Sequence, residues 1–408
     1  MHKENDSIIN VFLLGNGFDL GHNFPTAYID FLKTTKFLVD YYDESWDKVG
    51  SVFGHPELQK LDTNIKRSYQ RHSMVYDHTD LDKDRISSLI NEAKKNIWFR
   101  FLLQSYNCDI GWIDFEKEIA FVVEAFGEFF DKASIKFDKN KYTSKAKNRF
   151  IIFQFGDFFR KAEKTPNNPC LEPYRVKEEY TIEDPFGSNH YEINKKKIID
   201  VLYSSLISLA DMLRHYLYCF VDEPSKTMKV VKQLPKENIY SDADYVITFN
   251  YTNTFELLYN PEDIIDHIHG SVCDKIVLGI NPSEQDELES LDVSFIQFKK
   301  YYQRVFLKTD IPYLENIRSL PVLKKIKKMD KVVLHVIGHS LDNTDEDIIK
   351  EVFSSVDNIN IYYHDESANG VYIKNLVAMF GKSGFDSLRM SKNIQFLPCE
   401  EIVWNKQN

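Results

Sequence analysis

Apolar positions are arranged in two different ways along the chain. Short, continuous runs rich in β-branched residues, each closed by glycine or polar residues, stand at 8–14, 245–250, 276–280, 332–337 and 359–363. Runs of this length without alternation suit strands buried on both faces of a parallel sheet. IleIle at 264–265 leading into HIHG, and IQFL at 394–397, are weaker strand candidates. Between residues 60 and 235 the period changes. Phe115, Ile119, Val122, Phe126, Phe129 and Phe130 recur at spacings of three and four, as do Ile198, Leu202, Leu206, Leu209, Leu213 and Tyr216, and each set stripes one face of a helix. Residues 164–192 carry four prolines and few periodic apolar positions, which predicts a long irregular loop. The pattern predicts an α/β fold: a Rossmann-like parallel sheet formed by 1–60 and 236–408, with a large helical insertion at 61–235.

Composition narrows the class. With 43% hydrophobic and 28% charged residues among 408, the chain can bury a large core. Its five cysteines are scattered without a CxxC or CxxH pair, so no structural zinc is expected, and with no recognisable signal peptide they point to a reducing, cytoplasmic setting. No run reaches the roughly 20 apolar residues of a membrane helix. The formal charge of −11 argues against nucleic acid as a partner, since that affinity comes mainly from cations meeting phosphate. The lysine runs at 195–197 and 324–328 read as solvated helix faces.

Four segments carry candidate chemistry. In VFLLGNGFDLGHNFPTAYIDFL an apolar strand meets Gly15, Gly17 and Gly21, and Pro25-Thr26 then opens an amphipathic helix. Such a turn lets a pyrophosphate approach backbone N–H groups at a helix start, and it equally suits a tight structural turn. Asp19 just beyond can accept from ribose hydroxyls or cap backbone. In DYVITFNYTNTFELLY a strand delivers Asn250 and Thr252 to its carboxyl end, where ligands of open parallel sheets bind; Asn250 could also cap the helix that follows. In DHIHGS, His267 and His269 are two apart and would share one face of a strand. In VVLHVIGHSLDNTDEDIIKEVF a strand leads to a Gly338-His339-Ser340 turn. It suggests a nucleophile elbow but has Asp342 where GxSxG needs glycine, and His364 is the only histidine downstream, so a serine hydrolase is disfavoured.

Together, GNGFDLGHNFPTAYIDFL, WIDFE (112–116), ITFNYTNTFE (247–256), HIHG (267–270) and GHSLDNTD (338–345) resemble the AbiH abortive-infection family over nearly the whole chain, and in the same order they look like the sirtuin-like domains of bacterial defence systems. The resemblance implies NAD as substrate, hydrolysed to nicotinamide and ADP-ribose, with Asn250 and His269 catalytic. Gly15, Asn16, Gly17, Asp19, Thr252, Gly338, Ser340 and Asp345 would line the cofactor, Ser340 on its adenosine side, and no metal is expected. Glu116 falls at an acidic position of the family. A phage-derived trigger is an expected partner, and the sequence leaves a homo-oligomer open. The alternatives are a non-catalytic nucleotide sensor and an effector acting on nucleic acid; a clustered carboxylate set suited to two metal ions is missing for the latter.

Overall fold

The computed structural model describes residues 8–106, 114–133, 155–161, 174–183, 191–231, 239–259, 264–280, 293–329 and 331–399. The chain divides into two compact units, one of residues 1–90, 211–277 and 304–408, the other of 91–210 and 278–303.

The first unit is built on six strands: β1 (Ile8–Leu14), β2 (Tyr245–Thr248), β3 (Ile264–His267), β4 (Lys331–Ile337), β5 (Asn358–Tyr363) and β6 (Ile394–Pro398). Every neighbouring pair is parallel, and the order across the sheet is β3-β2-β1-β4-β5-β6. This is the doubly wound Rossmann order, with β1 and β4 flanking the point where the winding reverses. The expected α/β, Rossmann-like parallel sheet is therefore what the chain forms. The helices of this unit used below are α1 (Asn16–Gly21), α2 (Tyr28–Tyr41), α3 (Glu223–Val231), α4 (Thr254–Tyr259), α5 (Asp310–Lys327), α6 (Glu346–Ser355) and α7 (Glu366–Lys392).

Strand alternation explains why β1 carries apolar residues on both faces, interrupted only at Asn10. Ile9, Val11 and Leu13 point to one face, where they join Val332, Leu334, Val336, Ile359 and Ile361 beneath Ile317 of α5, Ile349 and Phe353 of α6 and Leu376 of α7. Phe12 and Leu14 point to the other, against Phe18, Tyr240, Val246, Phe255 and Tyr362. With both faces covered, a polar residue in the strands needs a partner. His335 of β4 stacks on Phe12 and meets Tyr362 and Asn10 through its two ring nitrogens at 3.1 and 3.2 Å. Burial pushes its pKa down to about 4, so it stays neutral between them.

Residues 276–280, read above as a strand, do not join the sheet. Their backbone groups are satisfied elsewhere: Val277 N–H donates to the His269 carbonyl, the Gln303 side chain bonds both N–H and C=O of Leu278, and Ile280 exchanges bonds with Phe298 and Lys300. The segment is buried, as its apolar character requires, without being a strand. The stretch 164–192, expected as an irregular loop, holds short strands where it is described: 174–176 pairs antiparallel with 159–161, which precede the stretch, and 181–183 with 191–193; residues 164–173 and 184–190 lie outside the described residues, as do 112–113 of WIDFE. The helical periodicities at 115–130 and 198–216 correspond to helices Phe115–Ala133 and Lys195–Leu217.

The second unit has its own aromatic core, with Trp98, Phe101, Phe126, Phe155 and Phe158 in edge and stacked contact. Glu116 ends here, at 2.6 Å from the ammonium of Lys300, whose side chain is 1% exposed. A buried ammonium needs such a counter-charge, and removing one partner commonly costs about 3–5 kcal/mol.

Glycine is demanded where two loops cross. Gly338 has φ +68, and a Cβ there would lie 2.2 Å from the Phe18 nitrogen. Gly338→Ala should therefore lower unfolding stability by roughly 2 kcal/mol or more. Gly370→Ala, exposed in α7 with open space around it, should instead raise it by about 0.5–1 kcal/mol. Urea unfolding of the two variants checks both signs.

Candidate active site

Strand register brings the sequence motifs to one edge. Leu14 is paired with Thr248 on one side and Ile337 on the other, and Thr248 is paired with His267. The last residues of β1, β2, β3 and β4 thus form one row across the sheet. Gly15, Asn250, His269 and Gly338 each follow one or two residues beyond that row, at the carboxyl edge where this fold places ligands. Segments more than 200 residues apart meet because the row is straight.

The glycine turn is packed against the protein's own backbone. Gly15 N–H donates to the Ile337 carbonyl at 3.1 Å and Gly17 N–H to the Gly338 carbonyl at 2.8 Å. A Cβ on Gly17 would lie 2.7 Å from Gly338 Cα, so the β4 turn is what requires glycine here. Asn16, between the two, is exposed. Beyond Gly338, Leu341 is fully buried yet held at φ +52, a conformation costly for a side chain of its kind. Its N–H donates to His339 Nδ1 at 2.9 Å, which leaves the neutral ring's proton on Nε2. Ser340 is exposed, its hydroxyl has no partner among the described residues, and its carbonyl accepts from Asn375. His364 sits on the surface beside Asp365.

Asp345 stands between two histidines. Its carboxylate oxygens lie 3.3 Å from His269 Nε2 and 3.5 Å from His339 Nε2, and all three side chains are at least nine-tenths buried. Phe249 packs against both imidazoles. Asp19 belongs to a neighbouring polar group. Its Oδ2 accepts from the Thr252 hydroxyl at 2.6 Å across 233 residues of sequence, while Oδ1 is buried without a hydrogen-bond partner among the described residues and the Thr254 hydroxyl lies close to the carboxyl. Burial outweighs the two threonines and pushes the Asp19 pKa up to about 6.

Asn250 is 7% exposed. Its N–H donates to Thr248 Oγ1 and its carbonyl accepts from His267 Nδ1, but its side-chain amide has no partner among the described residues. The amide makes no bond to α4; Asn253, the residue before that helix, is held instead by Asp222, which accepts from its N–H at 3.0 Å and its Nδ2 at 2.6 Å. His267 and His269 do not share a face either. The strand ends at His267, whose ring turns to Asn250 and Glu256, whereas His269 lies beyond it beside Asp345.

Three residues of this edge escaped the sequence reading: Asp222, Glu256 and His339. Asp222 lies in a π-helical turn, Tyr218–Asp222, just before α3, a distortion often found at functional sites. A lone acid closing the apolar run CysPheVal was the available signal. Burial pushes the Asp222 pKa up to about 7 despite its bonds from Asn253, with Asp19 and Glu256 adding repulsion.

A doubly wound α/β protein with buried histidines, carboxylates and an unpaired amide gathered at the carboxyl edge of its sheet is the class these features define. The model of the bacteriophage abortive infection AbiH family matches residues 11–364, and the chain belongs to that family. Membership assigns it to defence against bacteriophage. No curated protein and no solved structure matches it. Among the described residues no helix is long and apolar enough to cross a membrane, and no group of three or more histidine, cysteine or acidic side chains is placed to hold a metal ion.

The raised pKa of Asp19 carries a stability sign. The folded chain binds its proton more tightly than the unfolded chain, whose value is 3.8, so stability is fully present below about pH 4 and is lost as pH rises through 6. Asp19→Asn removes that loss. Relative to the natural chain, the variant should gain on the order of 1–2 kcal/mol between pH 5 and pH 8, read from paired urea titrations; a gain independent of pH would show that Asp19 is ionised throughout.

Proposed function

We propose that this edge binds NAD+ and hydrolyses it to nicotinamide and ADP-ribose, so that an infected cell is depleted of the cofactor and phage replication stops. The observation that carries the reading is Asn250: a side-chain amide brought to the ligand edge on a nine-tenths buried residue, its peptide bonded on both sides and its amide without a hydrogen bond among the described residues. An amide left open in this way is free to meet a substrate.

The chemistry asks little of the site in acid–base terms. Nicotinamide leaves a cationic N-glycoside as a neutral base, so no strong acid is required. The protein must orient the ribose and one water and stabilise an oxocarbenium-like transition state. In this reading Asn250 positions the ribose or the water. His269, oriented by Asp345, polarises a ribose hydroxyl. The Gly15–Asp19 turn and Thr252 receive the rest of the dinucleotide, with the exposed Asn16 at the start of α1, and the Gly338–Ser340 turn meets the adenosine side. The glycines are then explained by the loop crossing, and the substrate contacts fall to Asn16, the turn's exposed face and the polar side chains. The likeness of the motif order to sirtuin-like defence domains supports the same chemistry, in a cytoplasmic setting where NAD+ is at hand.

Purified protein incubated with NAD+ should release nicotinamide. Asn250→Ala and His269→Ala should each lower the rate about 10²–10³-fold while the far-ultraviolet circular dichroism is kept, and Ser340→Ala should stay within a few-fold. NAD+ binding without nicotinamide release, in the presence of phage infection products as well as in their absence, would replace hydrolysis with a nucleotide sensor.

A further inference from the structure

We propose that His267 is a positioning residue for Asn250, acting as an imidazolium that Glu256 holds in place and that clamps the Asn250 carbonyl. The proposal deepens the NAD+ reading and rests on it for its kinetic consequence, though its geometric part can be tested without any reaction.

Both ring nitrogens face oxygen acceptors. Nδ1 lies 3.0 Å from the main-chain oxygen of Asn250, and Nε2 lies 2.6 Å from Oε1 of Glu256. A carbonyl has no proton to give, so Nδ1 carries one. The second proton lies between Nε2 and the Glu256 carboxylate at 2.6 Å, and an imidazole is intrinsically the stronger base of the two. The ring is therefore a double donor, and each of its bonds is charge-assisted. Around it stand Glu256 from α4, Asp222 from the π-helical turn and Asp19 from α1, all acidic. Burial opposes the ring's charge, yet the bond and charge of Glu256, the Asn250 carbonyl and Asp222 outweigh it and leave His267 above its usual 6.5.

The clamp matters because of what it leaves unbound. Asn250 follows the last residue of β2 by two positions, where the ladder no longer fixes the backbone. Thr248 Oγ1 takes its N–H at 3.1 Å and His267 takes its carbonyl. With the peptide groups on both sides of Cα held, the side-chain amide is aimed without a bond of its own among the described residues. Loss of the second ring proton sets a lone pair of Nε2 against Glu256 and releases the ring from its support. Turnover should then fall as pH rises through the His267 pKa.

Three variants separate this role from simple packing. An asparagine at 267 places an amide N–H near the Nδ1 position, so His267→Asn keeps a donor for Asn250; His267→Gln places it near Nε2 and leaves the Asn250 carbonyl bare. Glu256→Gln keeps a bond to the ring and removes the charge that keeps it doubly protonated. We expect kcat for nicotinamide release to fall roughly 10- to 100-fold in His267→Gln with KM changed less than about threefold, substantial recovery in His267→Asn, and in Glu256→Gln a basic limb moved to lower pH. A Gln variant more active than the Asn variant, or an unmoved basic limb, would overturn the assignment. The independent arm is NMR of the full-length protein labelled at histidine rings and at the Asn250 carbonyl carbon. It should find His267 doubly protonated at pH 7, neutral in Glu256→Gln, and the Asn250 carbonyl resonance following the ring's titration. If the natural chain releases no nicotinamide, the NAD+ reading fails, and this arm still decides the clamp: a neutral His267 at pH 7, or an Asn250 carbonyl indifferent to it, contradicts the proposal.

Discussion

The contact between Gly17 and Gly338 is the constraint on which the candidate site depends. The N–H of Gly17 reaches the Gly338 carbonyl at 2.8 Å only because neither residue has a Cβ. That approach closes the switch point of the sheet with backbone and fixes the directions in which the two turns leave it. From the first turn, α1 carries Asp19 toward Thr252. From the second, the left-handed Gly338 and Leu341 swing His339 and Asp345 toward His269. A methyl group at the crossing would part the turns and with them two polar groups that share no residue.

Electrostatics then differentiate the edge. On one side Asp345 serves two histidines; on the other, Asp19, Asp222 and Glu256 surround His267. Burial resists placing three negative charges together, and it raises Asp19 and Asp222 to about 6 and about 7 while the more exposed Glu256 forms the ion pair. Near neutral pH Asp19 and Asp222 can therefore hold or release protons, the condition under which acid–base groups are useful. Asn250 lies where the β2 edge meets these polar groups, bonded through its peptide and open through its amide.

The sheet was largely legible in the sequence, because strands buried on both faces must be mainly apolar, and β1, β2, β4 and β5 are, with Asn10 and His335 bonded to each other where they interrupt the runs. The same rule misled at 276–280, where Gln303 and neighbouring turns satisfy the backbone in place of a ladder. Apolarity reports burial, and it does not report what bonds the peptide. The glycines announced a close approach without naming its partner, which proved to be another turn. Asn250 could be placed at a strand's end from its local pattern, whereas that pattern puts His269 on the strand itself and the family resemblance singles it out. The Asp19–Thr252 and His267–Glu256 pairs could not be read in either way, since register, which no local pattern encodes, decides who meets across the edge. His267 and His269 illustrate it: alternation gave them one face, and the end of β3 at His267 gave them different partners.

Hydrogen exchange tests most directly whether a dinucleotide binds at this edge. With a hydrolysis-resistant NAD+ analogue bound, amides in 15–22, 249–256, 267–272 and 338–346 should exchange more slowly together, while those of α7 beyond residue 375 stay unchanged. Protection confined to other segments, or none at saturating analogue, would contradict binding there.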